Sequence, residues 1–328
     1  MKISIVYLTR RCPRNCAYCS IRDVKDIGKE LTTTQWKEAF DILHKLGVTF
    51  NLILGNEPWM LGAKLLNIFE NTKVPFGIYT SCPEPLFSKY RDFFFENGII
   101  NNLSAGIDYP ITERYGIDDD SFDKSKDVWN AFVWTKKKYP NLDTHATITV
   151  HKYNLEYLAT LTSQLSELGV NSNINFIHWN KDSRYDFCAD KVDIEDLLFS
   201  KSDFEDITSI LKETLKKPRL IQNPEYLQMT IDNPHRVLMG WHCEGDPYGG
   251  PTIDVDGTLR CCGYRKGVET PKFTIFDLPA KLEEWQAAVT KDTRACPGCI
   301  WSCPCMYHYW KDKDPEMGKL VYTKHKRI

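Results

Sequence analysis

Three cysteines fall within eight residues, Cys12-Pro-Arg-Asn-Cys16-Ala-Tyr-Cys19, directly after the short apolar run Ile3 to Leu8. A run of that length, bounded by Arg10 and Arg11, reads as a buried strand. The C-x3-C-x2-C spacing therefore gathers three thiols just beyond a strand end. Thiolates are the ligands of iron–sulfur clusters, and a cubane of four irons takes four of them. Three would leave one iron with an open position, and open positions are where metals do chemistry rather than hold structure. A zinc knuckle is the competing reading. It needs a paired C-x2-C and four ligands closing one site, which 3-then-2 spacing fits poorly.

Past the cysteines, short apolar runs alternate with longer 3–4 periods, the mark of a parallel α/β sheet. Expected strands are Ile3–Leu8, Phe50–Leu54, Phe76–Thr80, Leu103–Ile107, His145–Val150 and Ile174–His178. Thr32 and Gln35 match a capping box ahead of a helix carrying Trp36, Ala39, Phe40, Leu43 and Leu46. Asn154 is placed to cap the helix carrying Leu158, Leu161, Leu165 and Leu168. Ser202 and Glu205 are placed to cap another, bearing Phe204, Ile207, Ile210 and Leu211. Six such units predict a partial (β/α)6 TIM-like barrel, with ligands beyond the C-terminal strand ends. The expected organisation is a barrel over 1–180 and a connecting helical segment over 181–240, covering the barrel mouth or its open edge. A small cluster-binding domain with a β-hairpin follows over 241–310, then a tail over 311–328.

The cysteine spacing, with the aromatic Tyr18 just before the last thiol, resembles the signature of radical S-adenosylmethionine (SAM) enzymes. The resemblance implies that Cys12, Cys16 and Cys19 hold a 4Fe–4S cluster whose open iron chelates SAM. Reductive cleavage of SAM would then release a 5′-deoxyadenosyl radical. Gly55-Asn56-Glu57-Pro58 looks like the family's Gly-Gly-Glu-Pro turn, with Asn56, a residue tolerant of a left-handed backbone, in place of the second glycine. On this resemblance Glu57 would accept from the SAM ammonium, and Thr80 and Ser81 would contact its carboxylate or ribose. Ser104-Ala-Gly-Ile-Asp108 is similar to the Ser-x-Asp-Gly strand end, with different internal spacing. The resemblance covers about residues 3–180.

Of the 12 cysteines, seven lie between Cys243 and Cys305. Cys243, Cys261, Cys262, Cys296, Cys299, Cys303 and Cys305 surround an Asp256-Gly257 hairpin signal. They supply enough sulfur for one fully ligated cluster. The arrangement resembles the twitch or SPASM extension of radical SAM enzymes. The full SPASM pattern wants a cysteine where the chain has Tyr309, so one auxiliary 4Fe–4S cluster is expected rather than two. Gly257-x4-Cys262 spacing favours Cys262 as a ligand, while the distance from Cys243 permits Cys261. Zinc is the alternative occupant. Cys82 and Cys188 stand apart. At the third strand end Cys82 would be placed to return a hydrogen atom to a substrate radical, as an epimerase needs; an inert buried thiol is the plainer reading.

The formal net charge of −2 over 328 residues gives no basic domain of the kind that binds nucleic acid. No stretch reaches the roughly 18 apolar residues that span a bilayer, so no membrane partner is expected. Cysteines grouped as metal ligands fit a reducing, cytoplasmic setting. The leading expectation is an oxidoreductase that dehydrogenates a small polar metabolite, with the auxiliary cluster taking the electron and flavodoxin or ferredoxin as donor. His145, His151 and His178 are candidate bases for it. Trp59, Trp179, Trp241 and Tyr248 either line its cavity or are core. The alternatives are a maturase that cross-links or epimerises a ribosomally made peptide, and a zinc-binding scaffold. That the chain starts on the first barrel strand, without a peptide-recognition domain ahead of it, disfavours the maturase.

Overall fold

Six parallel strands lie side by side in chain order, each followed by its helix. In order the elements are β1 (Ile3–Tyr7), α1 (Thr33–Lys45), β2 (Phe50–Leu54), α2 (Ala63–Phe69), β3 (Phe76–Thr80) and α3 (Leu86–Glu96). Then come β4 (Ile100–Gly106), α4 (Asp120–Lys138), β5 (Asp143–Val150), α5 (Leu158–Glu167) and β6 (Asn171–Phe176). The rest comprises α6 (Phe204–Thr214), α7 (Pro224–Asp232), α8 (Arg236–Met239), a hairpin of β7 (Thr252–Ile253) and β8 (Leu259–Arg260), and α9 (Leu278–Arg294). The computed structural model describes residues 3–16, 18–19, 29–70, 72, 74–110, 120–177, 195–221, 224–239 and 250–300.

The sheet order is β6-β5-β4-β3-β2-β1-β7-β8, with β6 and β8 at opposite ends, so the barrel is open. The expected hairpin is present, but it is continuous with the barrel: β7 runs parallel to β1, pairing Ile5 with Thr252 and Val6 with Ile253. Gly250 makes that approach feasible, since a Cβ there would stand 1.8 Å from the Ile3 carbonyl oxygen. A buried ion triad fastens the join. Asp254 accepts from Arg10 at 2.6 Å and from Arg260 at 3.0 Å. Both guanidinium groups stack on Tyr7, 4.7 and 5.2 Å from its ring centroid. Burial pushes the Asp254 carboxyl up, but Arg260 and Arg10 outweigh it and hold it below the usual carboxylate range.

Strand positions follow the apolar runs, and the departures have local causes. β4 begins at Ile100 rather than Leu103 because Asn102, pointing into the barrel, is satisfied by Asp143 on β5 at 3.1 Å. β6 runs from Asn171 to Phe176, and His178 lies outside the described residues. The Thr32–Gln35 capping box is formed, with both reciprocal bonds. Such a cap contributes about 1 kcal/mol. Two other caps differ from expectation. Asn154 does not cap α5: its amide donates to the carbonyls of Asp108 and Thr149, and its oxygen accepts from the His151 N–H. The box ahead of α6 uses Ser200 and Asp203, not Ser202 and Glu205. The segment after α6 covers the β6 edge, with Ser172 N–H donating to Arg219 and Ile221 N–H donating back to Ser172.

Apolar side chains fill the layer between sheet and helices. Trp59 is among them: it is fully buried and packs edge-on against Phe87 and Phe94. It is therefore core and lines no cavity; Trp179, Trp241 and Tyr248 lie outside the described residues.

Candidate functional site

The cysteine loop leaves β1 zipped to the turn after β2. Leu8 N–H donates to Leu54, Asn56 N–H to Thr9 and Glu57 N–H to Arg11, while the Asn56 amide donates to the Arg10 carbonyl at 2.6 Å. Gly55 sits at φ +127°, and a Cβ on it would lie 2.7 Å from the Thr9 carbonyl oxygen, so only glycine fits there. Asn56 has no positive φ. It replaces glycine without needing the left-handed tolerance that suggested it.

Beyond the turn, Cys12, Cys16 and Cys19 close the loop, with Cys19 N–H donating to the Cys16 carbonyl. None of the described cysteines forms a disulfide. Burial pushes the Cys12 thiol up to about 12, helped by the nearby Glu57, Cys19 and Cys16 charges and opposed by the Arg14 N–H bonded to its sulfur. Any metal bound there must displace that proton. Among the described residues no three His, Cys, Asp or Glu side chains gather around one point as a single-ion site. A tetrahedral zinc would need its sulfurs about 3.8 Å apart, given a Zn–S bond of about 2.3 Å. Three thiols that each take a different iron of one cluster need no such convergence, and sulfur is the donor that iron–sulfur clusters take. For SAM, the observation that fits is Asn56 Oδ1, a buried acceptor in the turn with no hydrogen-bond partner among the described residues. An ammonium is the kind of donor such an oxygen lacks.

The carboxylate expected to meet that ammonium is spoken for. Glu57, fully buried, accepts from the Thr80 hydroxyl at 2.8 Å, the Ser81 N–H at 2.8 Å, the Ser81 hydroxyl at 2.7 Å and the Trp59 N–H at 3.2 Å. Burial pushes its carboxyl up against these bonds. Glu57, Thr80 and Ser81 thus satisfy one another and lock the ends of β2 and β3. Ser104 is one layer further down the barrel, its hydroxyl donating to Asn102 Oδ1 at 2.8 Å, away from the strand end. Cys82 packs into the apolar core, fully buried and with φ +48°. Burial pushes its thiol well up and keeps the proton on sulfur, so it is enclosure by core side chains, not titration, that favours an inert thiol over a hydrogen-atom donor.

Asp108, two residues beyond the end of β4, meets Tyr18. The Tyr18 hydroxyl donates to Asp108 Oδ2 at 2.6 Å, and Thr149 N–H donates to Oδ1 at 3.1 Å. A third member escaped the sequence reading: the buried Lys124 of α4 donates to both Asp108 Oδ2 and the Tyr18 hydroxyl. Burial would pull its ammonium down, and Asp108 more than offsets that, holding it raised. The legible signal was a lysine on the apolar stripe of Val128, Ala131, Phe132 and Thr135.

The candidate bases are placed elsewhere. His145 bonds Asp143 at 2.9 Å at the opening of β5, the wrong end of the barrel. His151 is at the right end but enclosed: Nδ1 accepts from the Tyr153 N–H and Nε2 faces the Tyr109 hydroxyl, both at 3.3 Å. Burial pulls its pKa down to about 4, with Asp108 opposing and Lys124 assisting.

Of the second cysteine group, Cys243, Cys303 and Cys305 lie outside the described residues, as does Cys188. Cys261 and Cys262 follow β8 directly, and Cys296 and Cys299 follow α9. Cys262 Sγ accepts from the Tyr264 N–H at 3.4 Å, and the Arg265 guanidinium faces Cys261 Sγ at 3.9 Å. A hydrogen bond from the Cys261 thiol, with Arg260 nearby, holds Cys262 below the usual thiol value. Asp292 of α9 fastens this region by accepting from the N–H groups of Val268, Glu269 and Thr270.

Residues 6–163 match the Radical SAM superfamily. Among curated relatives, the PqqA peptide cyclase of Bradyrhizobium diazoefficiens is 24% identical over 189 residues, covering 53% of this chain and 47% of the relative. That of Rhodopseudomonas palustris is 26% identical over 204 residues, covering 58% and 52%. The chain thus matches about half the length of these curated relatives. Among solved structures, Streptococcus suis SuiB bound to its precursor peptide SuiA superposes with a TM-score of 0.58 at 14% identity, over 96% of this chain and 74% of that one. The shared fold is the open, parallel barrel described above.

Proposed function

We propose that the chain, whose residues 6–163 match the radical SAM superfamily, is a maturase that modifies a peptide. The observation that carries this reading is that two curated relatives are PqqA peptide cyclases. It displaces the small-metabolite oxidoreductase favoured by the sequence alone. The zinc scaffold has no support beside a radical SAM domain.

In this reading Cys12, Cys16 and Cys19 hold the cluster, and the Gly55–Glu57 turn and Asp108 line the place of SAM. When bound, the pair supplies a carbon radical able to take a hydrogen atom from an unreactive C–H bond. The chain's own contribution is placement. The β1–β2 zipper fixes Cys12 against the turn, and Glu57 braces that turn from behind through Thr80 and Ser81. Forming a cross-link between two C–H positions removes two hydrogens from the peptide. One leaves as the abstracted atom, and the other as a proton and an electron. Cys262, Cys296 and Cys299, with Cys243, are the ligands proposed for an auxiliary cluster that takes the electron. A flavodoxin- or ferredoxin-like protein is the proposed reductant for the first cluster.

The test is incubation of the anaerobically reconstituted enzyme with SAM, dithionite and any short peptide found encoded beside its gene. A panel of aminocyclitols, sugars and nucleosides is run in parallel. Loss of two hydrogens from the peptide, read by mass spectrometry, is the expected result. An unchanged peptide beside a dehydrogenated small molecule would return the reaction to metabolite oxidation.

A further inference from the structure

Helix α4 grips the cysteine loop at two points one helical turn apart. At the first, Lys124 donates to the Tyr18 hydroxyl and to Asp108, with its Nζ 5.0 Å from the Tyr18 ring centroid. At the second, Asp127 accepts from Arg14 Nη2. The side chains of Lys124 and Arg14 are only 6% and 13% exposed, so these are enclosed contacts rather than surface pairs. Arg14 and Tyr18 stand two residues before and two after Cys16. The helix itself is docked by Ser125, whose hydroxyl accepts from the N–H groups of Asp108 and Tyr109 at 3.1 and 3.2 Å.

The two grips have opposite polarity. At position 124 the helix donates to the loop; at 127 it accepts from it. Sliding the loop along the helix would set donor against donor, so the pair fixes register as well as distance. A rigid cluster needs its thiolates at a set spread, and a loop already held on both sides of its middle cysteine gives up less freedom when it binds.

We propose that Lys124 and Asp127 are positioning residues that set the spread of Cys12, Cys16 and Cys19 through Tyr18 and Arg14. The inference rests on the radical SAM reading of those cysteines and adds to it the element that holds them. Each helix residue acts through a loop residue, Lys124 through Tyr18 and Asp127 through Arg14.

The test compares Lys124→Met, Lys124→Arg, Asp127→Asn and the swap Arg14→Asp/Asp127→Arg in the full chain, each reconstituted anaerobically. Two readouts are used besides activity. One is the change that SAM causes in the electron paramagnetic resonance spectrum of the reduced enzyme; the other is the rate at which a chelator removes the cluster giving that change. Partners that orient metal ligands typically alter metal retention about 10- to 100-fold. Lys124→Met and Asp127→Asn are expected to lose the SAM-sensitive signal faster by that factor, with Lys124→Arg and the swap recovering most of it. An unchanged signal and chelation rate in both single variants would overturn the proposal, as would a swap that recovers nothing. If Lys124→Met does not fold, Asp127→Asn decides, since its side chain is 25% exposed and tolerates the change. A wild-type enzyme lacking any SAM-sensitive signal would instead refute the cluster reading itself.

Discussion

Replacing His151 with Asn should make the protein's stability less dependent on pH, by an amount the structure sets. The imidazole is 2% exposed and its pKa is pulled down to about 4, against an ordinary value of 6.5. A group depressed on folding is neutral in the native state, so its contribution is present above the unfolded pKa. It is lost as pH falls, because below 6.5 the unfolded chain takes up a proton that the folded chain refuses. Between pH 7.5 and pH 5 that proton costs the folded state about 2 kcal/mol, roughly a 30-fold shift toward unfolding. Glu57, raised by burial, acts in the opposite sense, so total stability is not the measure. The difference between wild type and His151→Asn is. Urea midpoints taken anaerobically across this range should show the two chains converging at low pH by about 2 kcal/mol. A constant gap would show that His151 is not held neutral, and would reopen it as a proton acceptor.

Other substitutions separate structure from chemistry. Trp59→Ala should destabilise the fold by about 3–5 kcal/mol through lost packing on Phe87 and Phe94; a change in substrate KM at unaltered stability would contradict its place in the core. Gly55→Ala should cost about 1–3 kcal/mol in backbone strain, and its methyl, set against the Thr9 carbonyl, should also depress SAM cleavage; normal cleavage would show that the turn does not position the first cysteine. Cys299→Ala should retain SAM cleavage while product formation stops, and normal product formation would remove the electron-acceptor role from the second cysteine group.

How much of this was legible beforehand depends on range. Strands announced themselves through local apolar runs, and the Thr32–Gln35 cap through four adjacent residues. The β2 turn was found, but the direction of Glu57 was not, because that depends on Thr80 and Ser81 arriving from the next strand. At Cys82 the strand-end position left both a hydrogen-atom donor and a buried inert thiol open, and the left-handed backbone turns it into the core. Asn154 looked like a helix cap, and tertiary acceptors at Asp108 and Thr149 outbid the helix for its amide. Lys124 and Asp127 are more than 100 positions from the loop they hold, at separations of 106 from Tyr18 and 113 from Arg14. No local pattern reports a contact of that span; only a charged residue on an apolar helix face hints at it. The proposal of a peptide substrate comes from relatives rather than from motif.

The central claim is that Cys12, Cys16 and Cys19 carry a cluster that breaks SAM. The most direct measurement is the yield of 5′-deoxyadenosine from the anaerobically reconstituted enzyme given SAM and dithionite, beside Cys16→Ala prepared identically. Wild type should form 5′-deoxyadenosine and methionine in equal amounts, and Cys16→Ala should form neither. Cleavage that survives the loss of Cys16, or a wild-type enzyme that loads iron and leaves SAM whole, would contradict the account.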